Sequence, residues 1–238
     1  MNIYITGINE GCGKTVVSAG IAAVMQSLGY KTGVYKPIQT GAIDKGKYLV
    51  SPDLTLVKLV DSYITTHSTY MLKTKALPVV GSAIEKIKID IDEIKRDYSI
   101  LTKKTETVVT EAPCSLMSPV YENLYGHSIP LNLNLPVLFV VSPSSDSVGQ
   151  YLAEINCAKS LGLDIIGVII NKYQVYSESE EIKTFPSLIE KYSDVKVLGL
   201  IRNFKGKSIS AISLISEILN GIDLEEIFRM KISKLSMY

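Results

Sequence analysis

The sequence predicts an α/β fold, a mostly parallel sheet covered by helices on both faces. Three observations carry that expectation. Short β-branched runs alternate with longer amphipathic runs along the chain. The most apolar strands, LPVLFVV ending at Val141 and DIIGVII at 164–170, are hydrophobic at nearly every position, as strands buried on both faces must be. The first strand also passes through a glycine-rich turn straight into a helical pattern, the opening of a strand–helix unit.

Taken in order, NIYIT (2–6) reads as the first strand and Lys14–Leu28 as a helix that Gly29 can end. TGVY (32–35) is a second strand. Helical patterns follow over Asp53–Val60, Leu77–Ile87 and Ile91–Leu101. TVVT (107–110), PVLFVV (136–141), DIIGVII (164–170) and VKVLGLI (195–201) are further buried strands. Gly149–Leu161, Glu178–Tyr192 and Ile209–Leu219 read as helices between and after them. The tail LEEIFRMKISKLSMY is amphipathic enough for a docked helix. No repeat, low-complexity stretch or long linker interrupts the pattern, so residues 1–238 are expected to form a single domain.

Composition narrows the function. With 25 basic against 24 acidic residues the formal charge is +1, and no long like-charge block occurs. Neither a nucleic-acid footprint nor a membrane surface is indicated, which leaves small molecules or a second copy of the chain as partners. Cys12, Cys114 and Cys157 are isolated, and His67 and His127 lie far apart, so neither a disulfide framework nor structural zinc is expected. The start MNIYITGINE lacks a secretory pattern, and no apolar run approaches the length of a membrane span; a cytoplasmic protein is expected.

The chemistry is densest in GINEGCGKTVV, Gly7–Val17. Glycines let a backbone curl so that successive N–H groups converge, and the helix that follows adds the positive end of its dipole. Asn9, Glu10, Gly11, Cys12, Gly13, Lys14, Thr15 and Val16 are therefore the expected nucleotide cradle. Lys14 is placed to reach phosphate oxygens, and the Thr15 hydroxyl to sit on Mg²⁺. The loop is one residue longer than GxxxxGK[ST], because Gly7 precedes Gly13 by six. Partition- and cell-division-type ATPases carry a second lysine where Asn9 stands. With this loop at the first strand–helix junction, the expected fold becomes a P-loop NTPase-type three-layer arrangement.

Sheets of this class place their sites beyond the carboxyl ends of the strands, and three such ends stand out. VYKPIQTG puts Lys36 at the end of the second strand, where an ammonium can neutralise charge developing on a phosphoryl group or an anionic substrate. Glu111 closes TVVTE and is a candidate magnesium ligand, direct or through water. Asp53, in SPDLTL, reads from spacing alone as a helix cap. Asn171 follows IIGVII, where its amide suits either a purine edge or a turn.

These pieces, in this order, resemble the dethiobiotin synthetase family. Its loop GTDTxVGKT has the extended spacing of Gly7–Thr15. Its YKPVxSG matches Tyr35–Gly41, YKPIQTG, and its SDAxxL resembles Pro52–Leu56. Its EGAGG strand end aligns with Glu111 onward, and its LPVxLVV–helix–strand–Asn run matches Leu135–Asn171. The similarity extends over at least Asn2–Ile201. It implies a homodimeric, Mg²⁺- and ATP-dependent ligase. That enzyme takes CO₂ onto one amine of 7,8-diaminononanoate as a carbamate, activates it with the γ-phosphate and closes a cyclic urea in biotin synthesis. By the resemblance, Thr15, Asp53 and Glu111 would hold Mg²⁺, while Lys14 and Lys36 would steady the carbamate and the transferred phosphoryl oxygens. Thr40 would contact the carbamate end, and Asn171 adenine.

Four places depart from the family pattern. EGAGG reads EAPCS at 111–115, with Pro113 lacking an N–H. The helix start LGTIN, which in the family helps hold the substrate carboxylate across the dimer, reads VGQYL at 148–152. The loop's DT is Asn9–Glu10, and the family's IP near adenine is Ile201–Arg202. Two further readings therefore stand beside the synthetase. One is a paralogous ATP-dependent ligase or kinase acting on another amine or carboxylate. The other is a non-catalytic ATP-binding regulatory module.

Overall fold

A computed structural model describes residues 1–143, 148–203 and 210–232. Among these residues seven strands form one parallel sheet: β1 (Asn2–Thr6), β2 (Thr32–Tyr35), β3 (Thr65–His67), β4 (Thr107–Glu111), β5 (Val137–Val141), β6 (Ile165–Tyr173) and β7 (Val197–Arg202). Their order is β7-β6-β5-β1-β4-β2-β3, so the first strand lies at the centre. Nine helices accompany them: α1 (Lys14–Ser27), α2 (Pro52–Val60), α3 (Pro78–Glu85), α4 (Ile91–Thr102), α5 (Ser128–Leu133), α6 (Val148–Ser160), α7 (Glu180–Ser193), α8 (Ala211–Gly221) and α9 (Leu224–Phe228).

Two apolar clusters, one per face, hold the three layers together. Ile3, Ile5, Val109, Leu138 and Val140 point to the face covered by α1, α2, α8 and α9. Tyr4, Val108, Val137, Phe139 and Val141 point to the face covered by α4, α5, α6 and α7. The period of two along each strand thus divides an unbroken apolar run between two cores.

The expected elements are present with modest changes of extent. α1 ends as anticipated at Gly29, whose φ of 83° lets the chain turn back. β6 runs three residues past its expected end, because the ladder to β7 resumes with Tyr173 opposite Arg202; Asn171 therefore lies inside a strand rather than in a turn after it. The helix start Ile209 and residues 233–238 of the tail lie outside the described residues; within the tail, Leu224–Phe228 is helical. The edge strand β3, the short pairs 38–40 with 70–72, 43–44 with 49–50 and 119–121 with 124–125, and helix α5 were not anticipated. They are two to six residues long, too short for a periodic signal. No helix among the described residues is long and apolar enough to cross a membrane.

Candidate active site at the carboxyl ends of the central strands

Register explains why the candidate residues meet. Tyr35 pairs with Thr110 and Ile5 with Glu111, so Lys36, Glu111 and the loop after Thr6 emerge at one level of the sheet. The Lys36 ammonium lies 2.7 Å from Glu111 Oε1 and 2.8 Å from Asp53 Oδ2, and it also donates to the Ala112 carbonyl at 3.2 Å. The same Glu111 oxygen accepts from Thr15 Oγ1 at 2.8 Å. Burial pulls the Lys36 pKa down, but the charges of Glu111 and Asp53 outweigh it, and the net shift is upward.

Asp53 is not the cap of α2. Ser51 is: its hydroxyl accepts from the Leu54 N–H at 3.0 Å and donates to Gln39. Relieved of capping, the Asp53 carboxylate in the first helical turn is free to face Lys36. The sequence offers two capping candidates, and only their side-chain directions separate them.

Around α1 the loop adopts the curl that its glycines permit. Gly11 and Gly13 have φ of 74° and 100°, and a Cβ on Gly13 would collide with the Asn171 amide. A Cβ on Gly7 would come within 2.5 Å of the Val140 carbonyl. Lys14 Nζ donates to the Asn9 carbonyl at 3.3 Å. Asn171 Nδ2 donates to the Cys12 carbonyl at 2.8 Å, and Lys172 Nζ to that of Gly11 at 2.6 Å.

Two cavities open on this cluster. One, about 380 Å³, is lined by Gly13, Lys14, Thr15, Val16, Asn171 and Arg202 among others. The second, about 450 Å³, includes Glu10, Lys36, Thr40, Asp53, Glu111 and Pro113 in its wall. Gly11, Lys14 and Thr15 belong to both, so the phosphate loop is the partition between them. Asn9 and Cys12 line neither; they take part through their carbonyls, and the Cys12 side chain is buried.

The oxygen donors suit a hard divalent cation. Thr15 supplies a hydroxyl, Asp53 and Glu111 supply carboxylates, and Glu111 Oε2 is buried without a hydrogen-bond partner among the described residues. No group of three or more His, Cys, Asp or Glu residues gathers among the described residues, so a metal here would draw on these two acids and the hydroxyl.

Sequence reasoning missed two basic residues, Lys172 and Lys75, and met a third, Arg202, only as a departure from the family pattern near adenine. Lys172 reaches the loop, Arg202 lines the first cavity and Lys75 lines the second. Glu217 on α8 grips Arg202, accepting from Nε at 3.0 Å, Nη2 at 2.7 Å and the backbone N–H at 3.0 Å. The Lys75 stem packs on Gly41, whose φ is 68°. In sequence Lys172 and Lys75 resemble ordinary solvated lysines, and no local pattern sets them apart.

The AAA domain family matches residues 1–206. Among curated proteins, the ATP-dependent dethiobiotin synthetase BioD of Fusobacterium nucleatum subsp. nucleatum is 29% identical over 206 residues, spanning 85% of this chain and 91% of that protein. BioD of Bacillus subtilis (strain 168) is 27% identical over 200 residues, 83% of this chain and 85% of its own. Among solved structures, cobyrinic acid a,c-diamide synthase from Mycobacterium smegmatis, with bound ATP analog and magnesium, superposes with a TM-score of 0.57 at 16% identity, covering 91% of this chain and 92% of its own. MinD from Pyrococcus horikoshii, complexed with Mg-ADP, gives 0.56 at 19%, covering 92% and 96%. At those identities the structural likeness shows the fold alone.

Proposed function

The chain belongs to the AAA domain family, within which it is a divergent relative of the dethiobiotin synthetases, and from that premise we propose that it is a dethiobiotin synthase. It is an ATP-using enzyme in this reading, an Mg²⁺-dependent cyclo-ligase converting 7,8-diaminononanoate and CO₂ to a cyclic urea in biotin biosynthesis, and a homodimer.

One observation carries the reading: a buried ammonium, Lys36, held between Glu111 and Asp53 in a cavity that shares Lys14 and Thr15 with the phosphate loop. Such an arrangement suits a phosphoryl acceptor that is itself anionic. A carbamate, formed when one amine adds to CO₂ and loses a proton, is a poor electrophile. Its oxygen attacks the γ-phosphorus, ADP departs, and the second amine then attacks the carbamoyl carbon. The urea ring closes as phosphate leaves. Lys14 and Lys36 spread the charge on the phosphoryl oxygens, and Thr40 positions the carbamate. Mg²⁺ held by Thr15, Asp53 and Glu111 would supply charge neutralisation at the phosphates. Asn171 contacts adenine from the first cavity. Holding both amines beside the carbamate makes ring closure effectively unimolecular. No side-chain nucleophile is needed.

The test is substrate dependence. Purified protein with ATP, Mg²⁺, bicarbonate and the diamino acid is expected to release phosphate and yield the cyclic urea, detected by mass spectrometry. Lys14→Ala and Lys36→Ala should each abolish turnover. Phosphate release indifferent to the diamine would replace the synthase with a regulatory ATP-binding module. A paralogous ligase or kinase is favoured by Pro113, which puts a residue without an N–H in the wall of the second cavity. Turnover with another amine or carboxylate, and none with this one, would establish it.

A further inference from the structure

Two neighbouring residues at the end of β6 hold two neighbouring carbonyls of the phosphate loop: Asn171 Nδ2 holds Cys12 and Lys172 Nζ holds Gly11. A trans peptide is planar, so its C=O and the following N–H point in opposite directions. Fixing the Gly11 carbonyl therefore fixes the Cys12 N–H, and fixing the Cys12 carbonyl fixes the Gly13 N–H. Both carbonyls are drawn toward β6, and the amides turn away from it. The Gly13 N–H has no acceptor among the described residues. Were these peptides free to flip, as glycine at Gly11 and Gly13 permits, carbonyl oxygens would enter the cradle and repel an anion.

Lys172 is built for this contact rather than incidentally near it. It is one of the few non-glycine residues at positive φ, 57°, a conformation unfavourable for a lysine unless something compensates. The conformation accompanies a break in the β6–β7 pairing between Ile170 and Tyr173, and its charged 2.6 Å bond to Gly11 supplies the compensation. Asn171 is 4% exposed, and its amide would overlap any Cβ on Gly13, so the strand end and the loop are fitted face to face.

We infer that Asn171 and Lys172 form a latch that aims the Cys12 and Gly13 amides at the phosphates of a nucleotide, which makes Lys172 a nucleotide-positioning residue. The inference rests on the nucleotide reading above and is independent of which amine or carboxylate is the acceptor.

Calorimetric titration of the full chain with a non-hydrolysable Mg·ATP analogue and, separately, with adenosine tests it. Lys172→Met and Lys172→Gly are expected to weaken the analogue about tenfold or more while leaving adenosine affinity unchanged, because the latch acts on amides that face phosphate. Lys172→Gly suits the positive φ and should unfold no more easily than the wild type, so a weakened analogue in that variant is not a folding defect. Lys172→Arg should restore part of the affinity. Equal weakening of adenosine and the analogue would make Lys172 a base contact and overturn the latch, as would unchanged affinity for both. A wild type that binds no analogue would overturn the latch and the nucleotide reading together.

Discussion

Lys36 shows how one residue can belong at once to stability and to chemistry. Its side chain is 6% exposed, and burial alone would favour the neutral amine. Glu111 and Asp53 reverse that, raising its pKa above the ordinary 10.5. With a folded value above the unfolded one, the stability it contributes is complete below the unfolded value and lost only as pH rises through the folded value. Lys36→Met should cost about 3 kcal/mol at pH 8 by urea denaturation, because Glu111 is left buried without its cation. At this scale the site was partly legible. Lys14, Thr15, Lys36 and Glu111 stand beside glycines, prolines and strand ends that mark them out. Asp53 was read from spacing as a cap, a role that Ser51, two residues earlier, takes instead. Lys172 and Lys75 were not found, because what distinguishes them is a partner across the fold rather than a neighbour in sequence.

Among the elements, strands that occupy the middle of the sheet were readable as unbroken apolar runs, whereas β3 was not. Its TTH sequence carries no apolar alternation, and it is recognisable as a strand only by lying beside β2. α6 has a feature with measurable consequences. Glu154, 8% exposed on this helix, accepts from the Leu116 N–H at 2.8 Å and so ties α6 to the segment following β4. Burial raises its pKa above the ordinary 4.5, only partly opposed by the Leu116 N–H and the charge of Lys14. For an acid with a raised folded value the sign is opposite to the usual carboxylate case: stability is greatest below the unfolded value and declines as pH rises through the folded one. Glu154→Gln keeps an acceptor for Leu116 and removes the charge. It is expected to stabilise the protein by on the order of 1 kcal/mol at pH 8 and by less at pH 4.5, measured as the shift in urea midpoint.

For the molecule as a whole, the position of β1 is decisive. Its two partners, β4 and β5, begin at residues 107 and 137, and α1 packs so closely on α8 that a Cβ at Gly20 would come within 2.6 Å of Ile218. No contiguous half of the chain contains a complete core. A fragment of residues 1–141 is expected to show no cooperative thermal transition by circular dichroism, although it carries the phosphate loop, Lys36, Asp53 and Glu111 intact. The layer architecture was legible because both faces of the sheet are covered, which makes its strands the most apolar segments of the sequence. The strand order was not, since alternation of strand and helix is common to every doubly wound topology. The bond from Lys172 to Gly11 spans 161 residues. During synthesis at the ribosome the glycine loop thus emerges early and waits, unclasped, while most of the remaining protein is made. A growing polypeptide has no means of gripping ATP in its finished manner until the end of β6 has cleared the exit tunnel.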